Sequence, residues 1–288
     1  MEEKILYGKP IAEEWNEKSK AFNLECVRLN KRKPKLVVLM VGDSQASMSY
    51  VLGLKKLCQA VDMDYDLLTM DESVSESELI QSVKDCNNDD TIDGILIQMP
   101  LPKGINPDTV IMSIDPDKDV DGFHPLNVGR LWMNQPTFAP CTAQSVMKFI
   151  ETSGIDLTGK KIVIIGRSNI VGKPLAALCL NKNATVTLCH SKTKNIEQET
   201  ASADILIAAV GQAKMIKSNW VKEGAIVLDV GVNRDEENKL CGDVDFDDVI
   251  DKVAMISPVP KGIGVVTNAM LLQNTIDAYR RKEDKHGL

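Results

Sequence analysis

Short hydrophobic runs alternate with amphipathic segments along most of the chain. In the first half, KLVVLMVG (35–42), YDLLTMD (65–71) and GILIQMPLP (94–102) have the pattern of buried strands. The segments between them, SYVLGLKKLCQAV (49–61) and ESELIQSVKDCN, repeat their apolar positions at three- and four-residue spacing, which is typical of helices. Strands that alternate with helices predict a parallel sheet covered by helices.

A second series of the same kind follows a segment without periodicity. That segment, DPDKDVDGFHPLNVGRLW, is rich in Asp, Pro and Gly and indicates either a functional loop or a boundary between units. The last segment, TNAMLLQNTIDAYRRKEDK, has helical periodicity. The chain is therefore predicted to be an α/β protein with two parallel-sheet domains. The strands of the second are KKIVIIG (160–166), ATVTLCH (184–190), ADILIAAVG (203–211), AIVLDVG (225–231) and VAMISPVP (253–260).

Composition and charge narrow the possible partners. A chain of 288 residues, of which 43% are hydrophobic, is long enough for two ordinary domains. Its net charge of −7 argues against broad affinity for nucleic acid or membranes. No apolar run approaches the roughly 18 residues needed to cross a bilayer, and the start, MEEKILYGKP, lacks the features of a signal peptide. We therefore expect a cytoplasmic protein that binds neither nucleic acid nor a membrane.

The cysteines and histidines predict no metal site. The seven cysteines are widely spaced and form no C-x-x-C pair, so we expect mostly buried free thiols. The three histidines show no H-E-x-x-H or similar ligand spacing. A dedicated transition-metal site is therefore not expected.

A glycine turn in the second series is a candidate nucleotide site. KKIVIIGRSNIVGKPLAALCL places a strand, a turn from Gly166 to Gly172 and a helix in succession, and N–H groups at the start of such a helix can bind a pyrophosphate. The spacing departs from G-x-G-x-x-G, and a tight turn without a ligand is the alternative interpretation. The next strand ends in CHSKT, where His190, Ser191 and Lys192 supply donors in place of the carboxylate that usually holds the ribose of NAD. Together with Arg167, whose guanidinium suits a phosphate, this favours NADP, with NAD as the alternative.

Several separate motifs together resemble those of the methylenetetrahydrofolate dehydrogenase/cyclohydrolase family, in the same order and over nearly the whole chain. The resemblance implies a folate-binding domain over 1–140, completed by a C-terminal helix over 265–288, and a Rossmann-like NAD(P)-binding domain over 141–264. It also implies a cleft between the domains and a homodimer. The motifs are QMPLP (98–102), DKDVDGF (117–123), PCT (140–142), the GRS turn, GDVDF (242–246) and PVPKGIG (258–264).

The resemblance assigns roles to individual residues. Tyr50 matches the tyrosine that packs against the folate ring system, and Gln98 matches the glutamine beside the reacting carbon. Asp121 matches the carboxylate that recognises the amino edge of the pterin, where a carboxylate can accept two parallel N–H bonds. Without the family context, core packing or turn capping is the alternative for each. The positions that match nucleotide-binding residues of the family are Gly166, Arg167, Ser168, Ser191 and Val232.

One departure from the family pattern falls at a catalytic position. Where the pattern Y-V-x-x-K has lysine one turn after the tyrosine, this chain has Leu54. Residues 50 and 54 share a helix face, whereas Lys55 points about 100° further round. Further departures lie directly after PCT and in or just after the last motif, where the family commonly has Pro, Gly, Pro and Met. This chain has Ala143, Lys261, Val265 and Val266.

These departures lead to a hypothesis about activity. The family combines hydride transfer from a methylene carbon to nicotinamide with hydrolysis of the resulting methenyl cation. Hydride transfer needs orientation more than a protein base, whereas hydrolysis needs proton movement that leucine cannot supply. We therefore predict an NADP-dependent methylenetetrahydrofolate dehydrogenase with weak or absent cyclohydrolase activity. The alternatives are a bifunctional enzyme that uses Lys55, Lys56 or Lys261, and a non-catalytic folate- or nucleotide-binding protein.

Overall fold

The structure of the protein, a computed structural model, describes residues 2–286. In chain order its α-helices are α1 (Gly8–Arg28), α2 (Gln45–Ala60), α3 (Glu76–Asn88), α4 (Pro107–Met112), α5 (Pro125–Trp132), α6 (Cys141–Thr152), α7 (Gly172–Asn181), α8 (Ile196–Thr200), α9 (Phe246–Val249) and α10 (Thr267–His286). Its strands are β1 (Lys35–Val41), β2 (Asp64–Met70), β3 (Gly94–Ile97), β4 (Lys161–Ile165), β5 (Thr185–Cys189), β6 (Ile205–Ala208), β7 (Ile226–Asp229), β8 (Asn233–Arg234), β9 (Leu240–Cys241) and β10 (Met255–Ile256).

The chain divides into two compact units, each built on its own parallel sheet. The three-stranded unit consists of Glu14–Arg130, Pro136–Ala139 and the residues from Asn268 on. The five-stranded unit consists of the residues up to Glu13, Leu131–Gln135 and Pro140–Thr267. Two parallel-sheet α/β domains were predicted from the hydrophobic pattern, and this fold class is confirmed.

The division between the units departs from the predicted boundary at residue 140 in two segments. Near the start of the chain, Ile5 pairs in parallel with Ile256, and the Gly8 N–H donates to the Lys261 carbonyl at 2.8 Å. These bonds explain why the residues up to Glu13 belong to the five-stranded unit. Such contacts join positions that are far apart in sequence, so hydrophobic periodicity does not reveal them.

The three-stranded sheet has the order β2-β1-β3. Every residue of the central strand β1 after Lys35 is buried, as its continuous hydrophobic run predicts. The helix α3 packs Leu79 and Val83 into the same core. It begins at a capping box in which Ser75 Oγ accepts the Glu78 N–H and Glu78 Oε2 accepts the Ser75 N–H.

The five-stranded sheet has the order β10-β7-β6-β4-β5. From β4 the chain adds β5 on one side, then crosses to β6 on the other, so the strand order reverses between β4 and β6. In open α/β sheets a ligand binds outside the carboxyl ends of the strands at such a reversal. The turn at Gly166 directly follows β4 and therefore lies at this position.

The cysteines are buried free thiols, as predicted. Burial raises the pKa of Cys58 and Cys179 to about 12, so both thiols stay protonated at neutral pH. Within residues 2–286, no helix is both long and apolar enough to cross a bilayer. The same part of the chain contains no group of three or more His, Cys, Asp or Glu residues placed to hold a metal ion.

Candidate active site

Gln98 lies at the carboxyl edge of the three-stranded sheet. It directly follows β3, and its backbone N–H donates to the Leu39 carbonyl at 2.8 Å, which continues the pairing with β1. Its side-chain amide donates to the Met99 carbonyl at 2.7 Å, and the residue is half-buried. The side-chain carbonyl of Gln98 can therefore still accept a hydrogen bond from a ligand at this edge.

Asp121 lies in a turn that follows a segment beside β3. A parallel bridge pairs Asp119 of this segment with Ile95. The Gly122 N–H donates to the Asp119 carbonyl at 3.1 Å and closes the turn. Asp121 therefore comes two residues after the bridge, and Gln98 comes directly after β3.

A buried carboxylate holds the turn that carries Asp121. Asp119 is 1% exposed and accepts the Phe123 N–H at 3.2 Å, the His124 N–H at 2.8 Å and the Asn127 side-chain N–H at 2.8 Å. Burial raises the pKa of Asp119, while these donors act in the opposite direction. Asp119 was not among the residues singled out from the sequence. Its only sequence signal is its place in the DKDVDGF motif.

Tyr50 and Leu54 occupy α2 but differ in exposure. Tyr50 is 38% exposed, and its hydroxyl donates to Asn268 Oδ1 at 3.1 Å. Leu54 is fully buried, on the same stripe as Val51 and Cys58. The helix therefore presents the tyrosine at the surface of the three-stranded unit and uses position 54 as core. Asn268 was not predicted from the sequence, because its hydrogen-bond partner Tyr50 lies in a distant part of the chain.

The lysines considered as replacements occupy different places. Lys55 and Lys56 follow Leu54 on the exposed side of α2. Lys261 is exposed in the five-stranded unit and has a φ of +83°, in the left-handed region that favours glycine. Of the other substituted positions, Ala143 and Val266 are fully buried, whereas Val265 is 44% exposed.

The glycine turn after β4 leaves no room for side chains at two positions. Gly166 has a φ of +117°, and a Cβ there would lie 2.0 Å from the Ala209 carbonyl oxygen. A Cβ on Gly172 would lie 1.9 Å from the Gly166 carbonyl oxygen. Ser168 Oγ accepts the Val171 N–H at 3.1 Å and so holds the end of the turn. The backbone can therefore approach a ligand closely where α7 begins, which fits the pyrophosphate of a dinucleotide.

The end of β5 lies beside this turn. Ile165 pairs with Cys189, and the Gly166 N–H donates to the Cys189 carbonyl at 2.9 Å, so Arg167 and Ser191 both follow neighbouring strand ends. Both side chains are exposed. The stretch from His190 to Thr193 carries no carboxylate, so it supplies only neutral or positive groups to a ligand. This chemistry suits a phosphate rather than a free ribose hydroxyl.

The loop after β7 supplies the remaining predicted position. Val232 is 67% exposed and so can contact a ligand. The loop stays beside β6 because the Val230 N–H donates to the Ala208 carbonyl at 2.8 Å. The carboxyl ends of β4, β5 and β7 thus carry all five predicted nucleotide positions, within the five-stranded unit.

Two family models match the chain. Residues 6–121 match the tetrahydrofolate dehydrogenase/cyclohydrolase catalytic domain, and residues 140–283 match the NAD(P)-binding domain of the same family. The chain belongs to the tetrahydrofolate dehydrogenase/cyclohydrolase family. This confirms the resemblance read from the motifs.

Similar proteins support the family assignment over nearly the full length. The chain is 48% identical to the bifunctional protein FolD of Bacillus anthracis over 279 residues, which is 96% of each chain. The crystal structure of the bifunctional enzyme FolD from Campylobacter jejuni has 43% identity and a TM-score of 0.94, covering 96% of this chain and 99% of that one. The Trypanosoma brucei dehydrogenase-cyclohydrolase, complexed with NADP and an inhibitor, has 33% identity and a TM-score of 0.90, covering 96% and 97%.

Proposed function

We propose that the protein is a 5,10-methylenetetrahydrofolate dehydrogenase that uses NADP and has weak or absent methenyltetrahydrofolate cyclohydrolase activity. The proposal of weak or absent cyclohydrolase activity rests on Leu54. It is fully buried and has no ionisable group, at the position where the family pattern has lysine. Tyr50, Gln98 and Asp121, which match the folate-binding residues, are all retained.

The chemistry separates the two activities. In the oxidation, a hydride leaves the carbon between two folate nitrogens, and their lone pairs stabilise the cation that forms. Bound NADP supplies the nicotinamide ring that accepts the hydride. The protein residues orient the folate: Tyr50 packs on its ring system and Asp121 accepts N–H bonds from its amino edge. No proton transfer to the protein is needed in this step, so the loss of a lysine leaves it possible.

Hydrolysis of the methenyl cation makes a different demand. Water must add to the cationic carbon and lose a proton, and a folate nitrogen must gain one as the ring opens. A positioned acid or base contributes roughly 10²- to 10⁴-fold to such a step. The side chain of Leu54 can neither accept nor donate that proton. The buried position of Leu54 also leaves no room for a water molecule to take the place of an amine there.

The first experiment follows both products of the wild-type protein. Methylenetetrahydrofolate is supplied with NADP, and reduced nicotinamide and methenyltetrahydrofolate are recorded separately, with spontaneous hydrolysis subtracted. We expect the two to accumulate in equal amounts. Enzyme-accelerated loss of methenyltetrahydrofolate would instead indicate a bifunctional enzyme, and tight binding without turnover would indicate a non-catalytic binding protein.

Arg167 is expected to select NADP over NAD. Arg167→Gln removes a guanidinium that can donate to a phosphate on the ribose, so kcat/KM for NADP should fall about 10- to 150-fold, since a charge-assisted hydrogen bond contributes about 1.5 to 3 kcal/mol. The value for NAD should stay unchanged. Lys182→Gln, which removes an exposed charge after the far end of α7, is the matched control. A wild-type protein that prefers NAD would contradict this assignment.

The family resemblance also carries a proposal about assembly and location. We propose a homodimer that works in the cytoplasm on tetrahydrofolate derivatives. The molecular mass in solution at working concentration, measured by light scattering, tests the dimer. A monomer mass would contradict it.

A further inference from the structure

The GDVDF motif contains a fully buried carboxylate whose role the proposed function leaves unassigned. Asp243 is 0% exposed. Its Oδ2 accepts the backbone N–H groups of Val210 at 2.6 Å and Gly211 at 3.2 Å. Its Oδ1 accepts the Gln212 N–H at 2.8 Å and the Asn233 side-chain N–H at 2.9 Å. The Asp243 side chain therefore binds the loop after β6 and also Asn233, which follows the loop after β7.

A second buried carboxylate holds Asp243 itself. Asp229, the last residue of β7, is 3% exposed. Its Oδ1 accepts the Gly231 N–H at 2.9 Å and the Asp243 N–H at 3.1 Å, and its Oδ2 accepts the Val244 N–H at 2.9 Å. Burial raises the pKa of Asp229 to about 7, while the three backbone donors act in the opposite direction. The two carboxylates and the backbone around them form one connected network.

The backbone packs directly against both carboxyl groups. A Cβ on Gly231 would lie 2.3 Å from Asp243 Cγ, and a Cβ on Gly242 would lie 1.8 Å from Asp229 Oδ2. Burial of a carboxylate is costly unless its oxygens are hydrogen-bonded. Here the donors are mostly backbone N–H groups of the loops. Each carboxylate is therefore fully hydrogen-bonded only when the loops are in this one arrangement.

Both loops lie beside the proposed nucleotide site. Ala209 begins the loop after β6, and its carbonyl oxygen is the atom that a Cβ on Gly166 would strike. Val232 projects from the loop after β7. Arg167 and Ser191 lie towards β5, on the side suited to the phosphate-bearing ribose. A dinucleotide that crosses the strand-order reversal therefore extends its other half, the nicotinamide, towards β6 and β7.

We propose that Asp243 is a positioning residue for the nicotinamide half of the cofactor, because it fixes the loops after β6 and β7 in the arrangement that receives this half. This inference rests on the proposed nucleotide site. Asp243 does not itself reach a ligand, since it is fully buried. It acts through Val232 and the backbone of residues 209–212, which are the parts of the two loops at the surface.

The test is Asp243→Asn, which preserves the size of the side chain. One oxygen becomes an NH₂ group that cannot accept an N–H bond, so at least one loop loses its anchor. We expect about 10- to 100-fold weaker NADP binding by calorimetry, in line with the penalty for an unsatisfied buried donor. KM for NADP should rise equally, whereas KM for methylenetetrahydrofolate at saturating NADP should stay the same.

A matched control separates positioning from general stability. Asp204 lies at the amino end of the same sheet, and its Oδ2 accepts the Lys161 N–H at 2.9 Å. Asp204→Asn weakens one backbone bond and the ion pair with Lys222, both away from the nucleotide site. The midpoint of thermal unfolding should fall in both variants, but only Asp243→Asn should lose affinity for NADP.

The outcomes distinguish this inference from the proposed function. If the wild-type protein binds NADP and folded Asp243→Asn binds it equally well, the positioning role is wrong and the nucleotide site stands. If the wild-type protein binds neither NADP nor NAD, the nucleotide site is wrong and the inference fails with it. Should Asp243→Asn not fold, Asn233→Ala removes only one donor to Asp243. It should weaken NADP binding about 3- to 10-fold, and unchanged binding would overturn the proposal.

Discussion

Replacement of Asp121 by asparagine should lower kcat/KM for methylenetetrahydrofolate by about 100- to 1,000-fold, because two charge-assisted hydrogen bonds to the pterin edge are lost or weakened. The amide of asparagine offers one acceptor and one donor, and the donor would face an N–H group of the ligand. The turn should survive the change, since Asp119 accepts the backbone N–H groups of Phe123 and His124. Steady-state kinetics with varied folate measures the effect.

Asp117 provides the matched control for Asp121. It belongs to the same DKDVDGF motif, but its carboxylate is 44% exposed and lies 4.0 Å from the Arg130 guanidinium. Exposed pairs of this kind contribute about 0 to 1 kcal/mol, so Asp117→Asn should change kcat/KM by less than about 5-fold. The affinity for NADP should be unchanged in both variants. Full activity of Asp121→Asn would show that Asp121 does not recognise the folate.

The substitution Leu54→Lys should create cyclohydrolase activity. A lysine restores the ionisable group of the family pattern, and a positioned acid or base contributes roughly 10²- to 10⁴-fold to a hydrolytic step. Its four-carbon stem can extend along the buried stripe of α2 while the amine reaches the side of Tyr50. Burial lowers the pKa of such an amine, which increases the fraction able to act as a base at neutral pH. The measurement is the rate of methenyltetrahydrofolate loss above the spontaneous rate.

The same substitution has a cost in stability that must be measured with it. Position 54 is fully buried, and an ammonium group placed there loses its hydration. We therefore expect a lower midpoint of thermal unfolding with retained dehydrogenase activity. Leu54→Met is the control, since it keeps an apolar side chain of similar volume and should gain no hydrolysis. A folded Leu54→Lys that oxidises methylenetetrahydrofolate without any faster hydrolysis would show that Leu54 is not what limits the second activity.

The sequence predicts the parts of this protein that depend on local pattern. The continuous apolar runs of β1 and β4 predict a buried strand in each of the two parallel sheets, because strands buried on both faces need such runs. The three- and four-residue spacing of Tyr50, Leu54, Leu57 and Val61 predicts the helix α2, and Leu54 and Val61 are buried, but Tyr50 is 38% exposed. Hydrophobic periodicity alone, however, does not predict the function. The roles of Tyr50, Gln98 and Asp121 come from the order of the family motifs.

The residues that the sequence did not reveal act through distant partners. Asn268 meets Tyr50, and Asp243 meets Val210 and Asn233. Such hydrogen bonds depend on which strand ends lie side by side, and hydrophobic periodicity carries no information about strand order. The place of the residues up to Glu13 in the five-stranded unit was not predicted for the same physical reason, because the pairing of Ile5 with Ile256 is invisible to a local pattern.

The pairing of Ile5 with Ile256 also has a consequence for how the protein is made. A ribosome releases the segment around Ile5 long before its partner beside β10. The three-stranded unit likewise waits for α10, whose Asn274 donates to the Val120 carbonyl at 2.7 Å. Neither unit can therefore complete its fold until these later segments have been synthesised, and the exposed early segments must remain free of aggregation until then.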